Sequence, residues 1–145
     1  MSESTSFYRV EYQPVPALVR GTVLRPLTAF EFTEACELLL ATATAQRCPW
    51  WLLDGRTDAN TARSTDLYEW LSGEFLPRVQ RVLHRVPTLA FVARPEFWAE
   101  LREQSFAPPT IVAGTFRAGW FTDEAAALAW LDSYRTVLPA LLARS

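Results

Sequence analysis

Four apolar residues, Trp50-Trp51-Leu52-Leu53, run straight into Asp54-Gly55-Arg56, and a loop of hydroxyls and charges follows as far as Asp66. A short apolar run held between Pro49 and Gly55 predicts a strand buried on both faces. In sheets built with helical crossovers, ligands gather at the carboxyl ends of the strands. Asp54, Arg56, Thr57, Arg63, Ser64, Thr65 and Asp66 therefore form the candidate binding or switch surface. Two chemistries suit these residue types. A phosphate on Ser64 or Thr65 would lie at the start of a helix, where free N–H groups and the dipole favour anions, and Arg56 and Arg63 carry forked donors to pair with it. Without phosphate, Ser64, Thr65 and Asp66 are the types that cap a helix. Asp54 with Asp58 or Asp66 offers oxygen ligands to Mg²⁺, but at spacings common in loops.

The remaining reactive side chains are few. Cys36, Cys48 and the single His84 do not complete a closed zinc site. Cys36 falls on the apolar face of a predicted helix, where a thiol packs as a small hydrophobe. His84 closes a helix with no nucleophile near it in the chain, and the five glycines are dispersed rather than gathered into a phosphate-cradling loop. The expectation is no catalytic residue, no metal and no cofactor: a protein that binds and does not turn over a substrate. The six tryptophans, Trp50, Trp51, Trp70, Trp98, Trp120 and Trp130, supply a second candidate site. They could line an apolar pocket for a small molecule or lipid, its mouth ringed by Asp54 and Arg56. As core or subunit contacts they need no ligand at all.

Composition narrows the partners. The chain has 145 residues, half of them apolar, enough for one domain with a sizeable core. Its fourteen basic residues are all Arg, but they are scattered and the net charge is −2, so nucleic acid is not expected. No basic-then-apolar leader and no apolar run approaching about 18 residues is present, which predicts a cytoplasmic protein with no stable membrane insertion. A protein partner is expected, and an exposed edge of the first strand or the Trp-rich ends would support a homodimer.

Hydrophobic periodicity places these residues on elements. Residues 1–6 are polar and small and read as a loose tail; a single domain follows over 7–138, and 139–145 form a second tail. Phe7–Tyr12 and Ala17–Leu24 read as two antiparallel strands joined by Gln13-Pro14-Val15-Pro16, with Gly21 marking a bulge or close packing. Thr28 and Glu31 have capping-box spacing, with Leu27 and Phe32 as a hydrophobic staple, and open a helix to about Gln46. Its apolar face carries Phe32, Ala35, Cys36, Leu39 and Ala43. The central strand follows, then a second helix whose stripe is Leu67, Leu71, Phe75, Val79 and Val82, kinked or divided by Pro77. Thr88–Ala93 is a fourth strand, Pro95–Leu101 a short third helix and Thr110–Arg117 a fifth strand. Gly119-Trp120-Phe121 reads as a turn toward a last helix capped by Thr122, which Pro139 separates from the apolar tail. The order β-β-α-β-α-β-α-β-α predicts an α/β domain, one mixed sheet of about five strands covered by about four helices.

That order, with two local pieces, resembles the STAS-like domains related to bacterial anti-sigma factor antagonists. The pieces are the buried strand ending in Asp54 and the closing Trp120-Phe121-Thr122-Asp123-Glu124-Ala125-Ala126-Ala127-Leu128. The resemblance spans about Tyr8 to Leu131 and implies a non-enzymatic regulatory or protein-interaction module. In the best-known members an Asp-Ser-Ser/Thr-Gly-type turn follows the third strand and is phosphorylated by a partner kinase. Here the turn is Asp54-Gly55-Arg56-Thr57: the acid matches, and glycine stands where the hydroxyl would be. A looser SpoIIAA-like branch without the phosphorylation turn is the nearer resemblance, and it implies a fold more than an activity.

Overall fold

β4 (Trp50–Asp54) sits in the middle of one mixed sheet, hydrogen-bonded on both sides by parallel neighbours, β3 (Ala17–Val23) and β5 (Thr88–Val92). The computed structural model describes residues 2–4, 7–56, 69–96 and 110–143. The sheet has seven strands in the order β1-β2-β3-β4-β5-β7-β6. β1 (Ser2–Ser4) and β2 (Tyr8–Pro14) extend it antiparallel beyond β3. β7 (Arg117–Phe121) pairs parallel to β5, and β6 (Thr110–Val112) closes that side antiparallel. The α/β class and the mixed sheet are those expected, with two further strands.

Both additions have local causes. Ser2–Ser4, expected as a loose tail, pairs with Arg9–Glu11 and satisfies the open edge of β2. The expected fifth strand, Thr110–Arg117, is instead a hairpin, with Ala113 N–H donating to Phe116 O at 2.9 Å across the turn. Gly119-Trp120-Phe121, expected as a turn, is strand. Gly119 is there for space, because a Cβ would come within 2.8 Å of the Phe121 ring and 3.3 Å of Trp130.

Helix α1 (Ala29–Gln46) carries the expected capping box: Glu31 N–H donates to Thr28 Oγ1 at 3.1 Å, and Thr28 N–H to Glu31 Oε1 at 3.0 Å. It ends on Arg47 in the left-handed region (φ 52°) and leads through buried Cys48 and Pro49 into β4. The second helix runs on through Pro77 without a break. Residues 69–70 lead into a π-helical turn, Leu71–Phe75, continuous with α2 (Leu76–Leu83), and Leu76 N–H reaches back to Leu71 O. Pro77, which has no N–H to give, sits just inside α2 where the widened turn accommodates it. The wider turn shifts the helical phase, so Leu71, Phe75, Leu76 and Val79 are buried while Val82, expected in the stripe, is exposed.

Helix α3 (Glu124–Ala143) is capped by Asp123, not the expected Thr122: its carboxylate accepts from Ala125 and Ala126 N–H at 3.4 and 3.2 Å. The helix continues through Pro139, carried on by the strong helix formers Ala140, Leu141 and Leu142. The described residues thus hold three helices where about four were expected. Pro95 and Glu96 are helical, and the rest of the expected third helix lies outside the described residues. No helix among the described residues is long and apolar enough to cross a membrane.

The helices form two layers on the sheet. α1 and α2 lie together on one face, joined by an Arg78–Glu37 ion pair. α3 lies on the other, with Glu124 paired to Arg20 of β3 and Arg135 over the Trp50 ring at 5.3 Å. Alternation along β4 explains how one strand serves both layers: Trp51 and Leu53 face α1 and α2, while Trp50 and Leu52 face α3. Trp51 and Leu52 are wholly buried, as a strand covered on both faces requires.

Candidate functional site

A cavity of about 110 Å³ lies between the sheet and the α1–α2 layer, toward the carboxyl ends of the parallel strands. The sheet provides Gly21, Trp51, Leu53, Leu89, Phe91 and Trp120 as one wall. Phe32, Ala35, Cys36 and Leu39 of α1 face them, and Leu71 and Phe75 close the side from the π-helical turn. These residues share a side for simple reasons. Gly21, Leu53, Phe91 and Trp120 occupy one register row across four strands, so their side chains emerge on the same face. Phe32, Ala35, Cys36 and Leu39 follow helical spacing, and the wide π turn aligns Leu71 with Phe75.

Small residues border this space on both sides. Tyr8 of β2 lies across Gly21, where a Cβ would come within 2.2 Å of its hydroxyl. Across the cavity Ala35 and Cys36 are short. The wall is almost entirely apolar, which suits an uncharged ligand and excludes an unpaired charge, since desolvating one without a partner is very costly. Burial first, and the neighbouring Cys36 second, push the Tyr8 phenol well above its usual range, so it stays neutral. Phe91 and Trp120 stack at 5.2 Å with their planes 10° apart, and Phe75 stacks on Trp70 at 5.3 Å.

Asp54 and Arg56 form a different structure beside this cavity. Arg56 Nε and Nη2 donate to Asp54 Oδ1 and Oδ2 at 3.0 and 2.7 Å, and Arg56 backbone N–H donates to Oδ1 at 3.1 Å. The Asp54 carboxylate is only 15% exposed against 45% for Arg56. Burial works to raise its pKa, but the hydrogen bonds and charge of Arg56, with Arg20 beyond, outweigh it and hold the carboxyl below its usual range. Although Asp54 borders the cavity through the strand end, alternation directs its side chain to the α3 face, the side of Arg20. The pair is a clasp at the end of β4, and of the two only Asp54 is among the residues bordering the cavity. Gly55 adds backbone to the rim, its N–H donated to Val92 O at 2.8 Å.

Of the expected surface, Asp54 and Arg56 are thus brought together, while Thr57, Arg63, Ser64, Thr65 and Asp66 lie outside the described residues, as does Asp58. Of the six tryptophans, Trp51 and Trp120 line the cavity and Trp70 backs Phe75. Trp50 lies under Arg135, Trp130 packs on Phe121 and Tyr134 on the α3 side, and Trp98 is outside the described residues. Cys36 and Cys48 are buried and not joined in a disulfide, and burial pushes Cys48 up, away from the thiolate. His84 is exposed and takes the left-handed position (φ 56°) that ends α2. The lining residues expected only as core include Leu53, Phe75, Phe91 and Ala35. Their one signal is the set of short residues, Gly21, Ala35 and Cys36, at positions on a buried face.

No family model, no curated protein and no solved structure matches the chain.

Proposed function

We propose that this protein is a non-enzymatic binding module whose ligand is a small apolar molecule held between the sheet and the α1–α2 layer. The observation that supports this most directly is the apolar cavity of about 110 Å³ lined by Trp51, Phe75, Phe91 and Trp120. Ligand sites are concave, mostly apolar and largely preformed, and they favour the carboxyl ends of parallel strands. A protein-interaction role of STAS-like type is the other reading, supported by the element order and by an acid at the end of the central strand. Its weakness is that Asp54 is already engaged by Arg56. The pocket reading has the stronger physical support.

Ala35→Leu tests it by filling the cavity from α1. Protein purified gently from its own cells is expected to carry a non-covalent small molecule in native mass spectrometry that is absent after denaturation. The variant should fold, judged by circular dichroism, and come out bare. Bare wild-type protein whose Trp fluorescence also ignores an apolar extract of those cells would overturn the reading.

A further inference from the structure

We infer that the cavity's ligand is a flat, uncharged aromatic molecule of about one ring, and neither an alkyl chain nor an anion; this rests on the apolar-ligand reading above. Size sets the first limit. An apolar protein cavity of roughly 150 Å³ accepts benzene and stays dry without it, and this one measures about 110 Å³. One ring is therefore what the described residues enclose, and a fused system would extend beyond them.

Shape sets the second. Aromatic side chains line the space from both layers: Phe91 and Trp120, stacked on one another 10° from parallel, and Trp51 come from the sheet. Opposite them Phe75 is backed by Trp70, their planes 24° apart, and it stands tilted by 58° to Trp51. A ring entering this space has aromatic side chains on both its sheet side and its helix side, and so has partners for the offset-stacked or edge-to-face arrangements that aromatic quadrupoles favour. A saturated molecule of the same volume gains the burial but not this alignment. On the helix side Leu71 and Phe75 belong to a π-helical turn, a distortion found frequently at functional sites.

Charge sets the third. Among the described lining residues the one carboxylate, Asp54, is directed to the opposite face, and both prongs of the Arg56 fork are used on it. A ligand carboxylate inside would have no cation to meet among the described lining residues.

Fluorine NMR of the intact protein tests the inference with three probes: fluorobenzene, fluorocyclohexane and 4-fluorobenzoate. Fluorobenzene should bind saturably and about tenfold more tightly than fluorocyclohexane, as favourable aromatic contacts imply, with no binding of 4-fluorobenzoate. Trp120→Leu should bring the two neutral probes to similar affinity by weakening fluorobenzene alone. Should that variant fail to fold, Phe91→Leu makes the same comparison, and the wild-type ratio decides on its own. Fluorocyclohexane binding as tightly as fluorobenzene would overturn the aromatic class and leave the apolar-ligand reading standing. Tightest binding of 4-fluorobenzoate would overturn the exclusion of anions. Absence of binding by either neutral ring would overturn both readings.

Discussion

Gly21 shows how one missing side chain lets another lie directly against the sheet. Its backbone needs no left-handed conformation, since no glycine among the described residues has positive φ. It is glycine because Tyr8 lies across it, with Leu39 Cδ2 only 3.1 Å from where a Cβ would be. Of the two meanings expected for it, bulge or close packing, close packing is the one observed. Gly21→Ala should cost roughly 1–3 kcal/mol, the range for overpacking a well-filled core. In a Tyr8→Phe background, where the obstructing oxygen is gone, the cost should shrink, because neighbouring changes are not additive. Urea denaturation of the four proteins measures this, and an unchanged cost in the Phe background would refute the hydroxyl clash. The Thr28–Glu31 capping box was legible at this scale because its partners lie three residues apart. The side to which Asp54 points was not, because strand phase relative to the layers is a property of the sheet.

At the scale of elements, the α2 region carries the clearest lesson. A constant helical period put Val82 in the buried stripe, whereas the π-helical turn before Pro77 brings Leu76 inward and leaves Val82 in solvent. Nothing in the residue types announces that extra residue in the turn, since the turn is stabilised by where Phe75 packs. Gly73 within it is exposed, and nothing lies within 4 Å of where a Cβ would stand. Gly73→Ala should therefore stabilise the protein by about 0.5–1 kcal/mol through the lower entropy of its unfolded chain. A rise in the thermal midpoint checks it; a fall would mean that the turn itself requires glycine. The β6–β7 hairpin was misread for a related reason. Glycine signals a turn when judged locally, and Gly119 is in a strand because Phe121 and Trp130 occupy the space over it.

Across the whole molecule, ion pairs tie the layers together: Arg20–Glu124 joins β3 to α3, and Arg78–Glu37 joins α2 to α1. Among the described residues two carboxylates have lowered pKa values and so contribute to the response to acid. Arg25's hydrogen bonds first, and the Thr28 backbone second, draw Glu31 from 4.5 to about 2, while Asp54 is held below its usual range. A carboxylate whose folded pKa is depressed adds stability fully above its unfolded value, near 4, and loses it as pH falls through the folded value. The guanidinium denaturation midpoint should therefore fall from about pH 5 toward pH 2, and Glu31→Gln should flatten the slope in that window. An equal slope in the variant would remove Glu31 as a cause. The sequence sufficed for the α/β class, the parallel β3-α1-β4 unit and the buried central strand, because these follow from short-range periodicity, caps and turn residues. The cavity, the division of tryptophans between two faces and the turning of Asp54 toward α3 belong to the fold. Each depends on which residues from distant segments share a register row or face a gap, and that relation exists only once the strands are paired and the helices are seated.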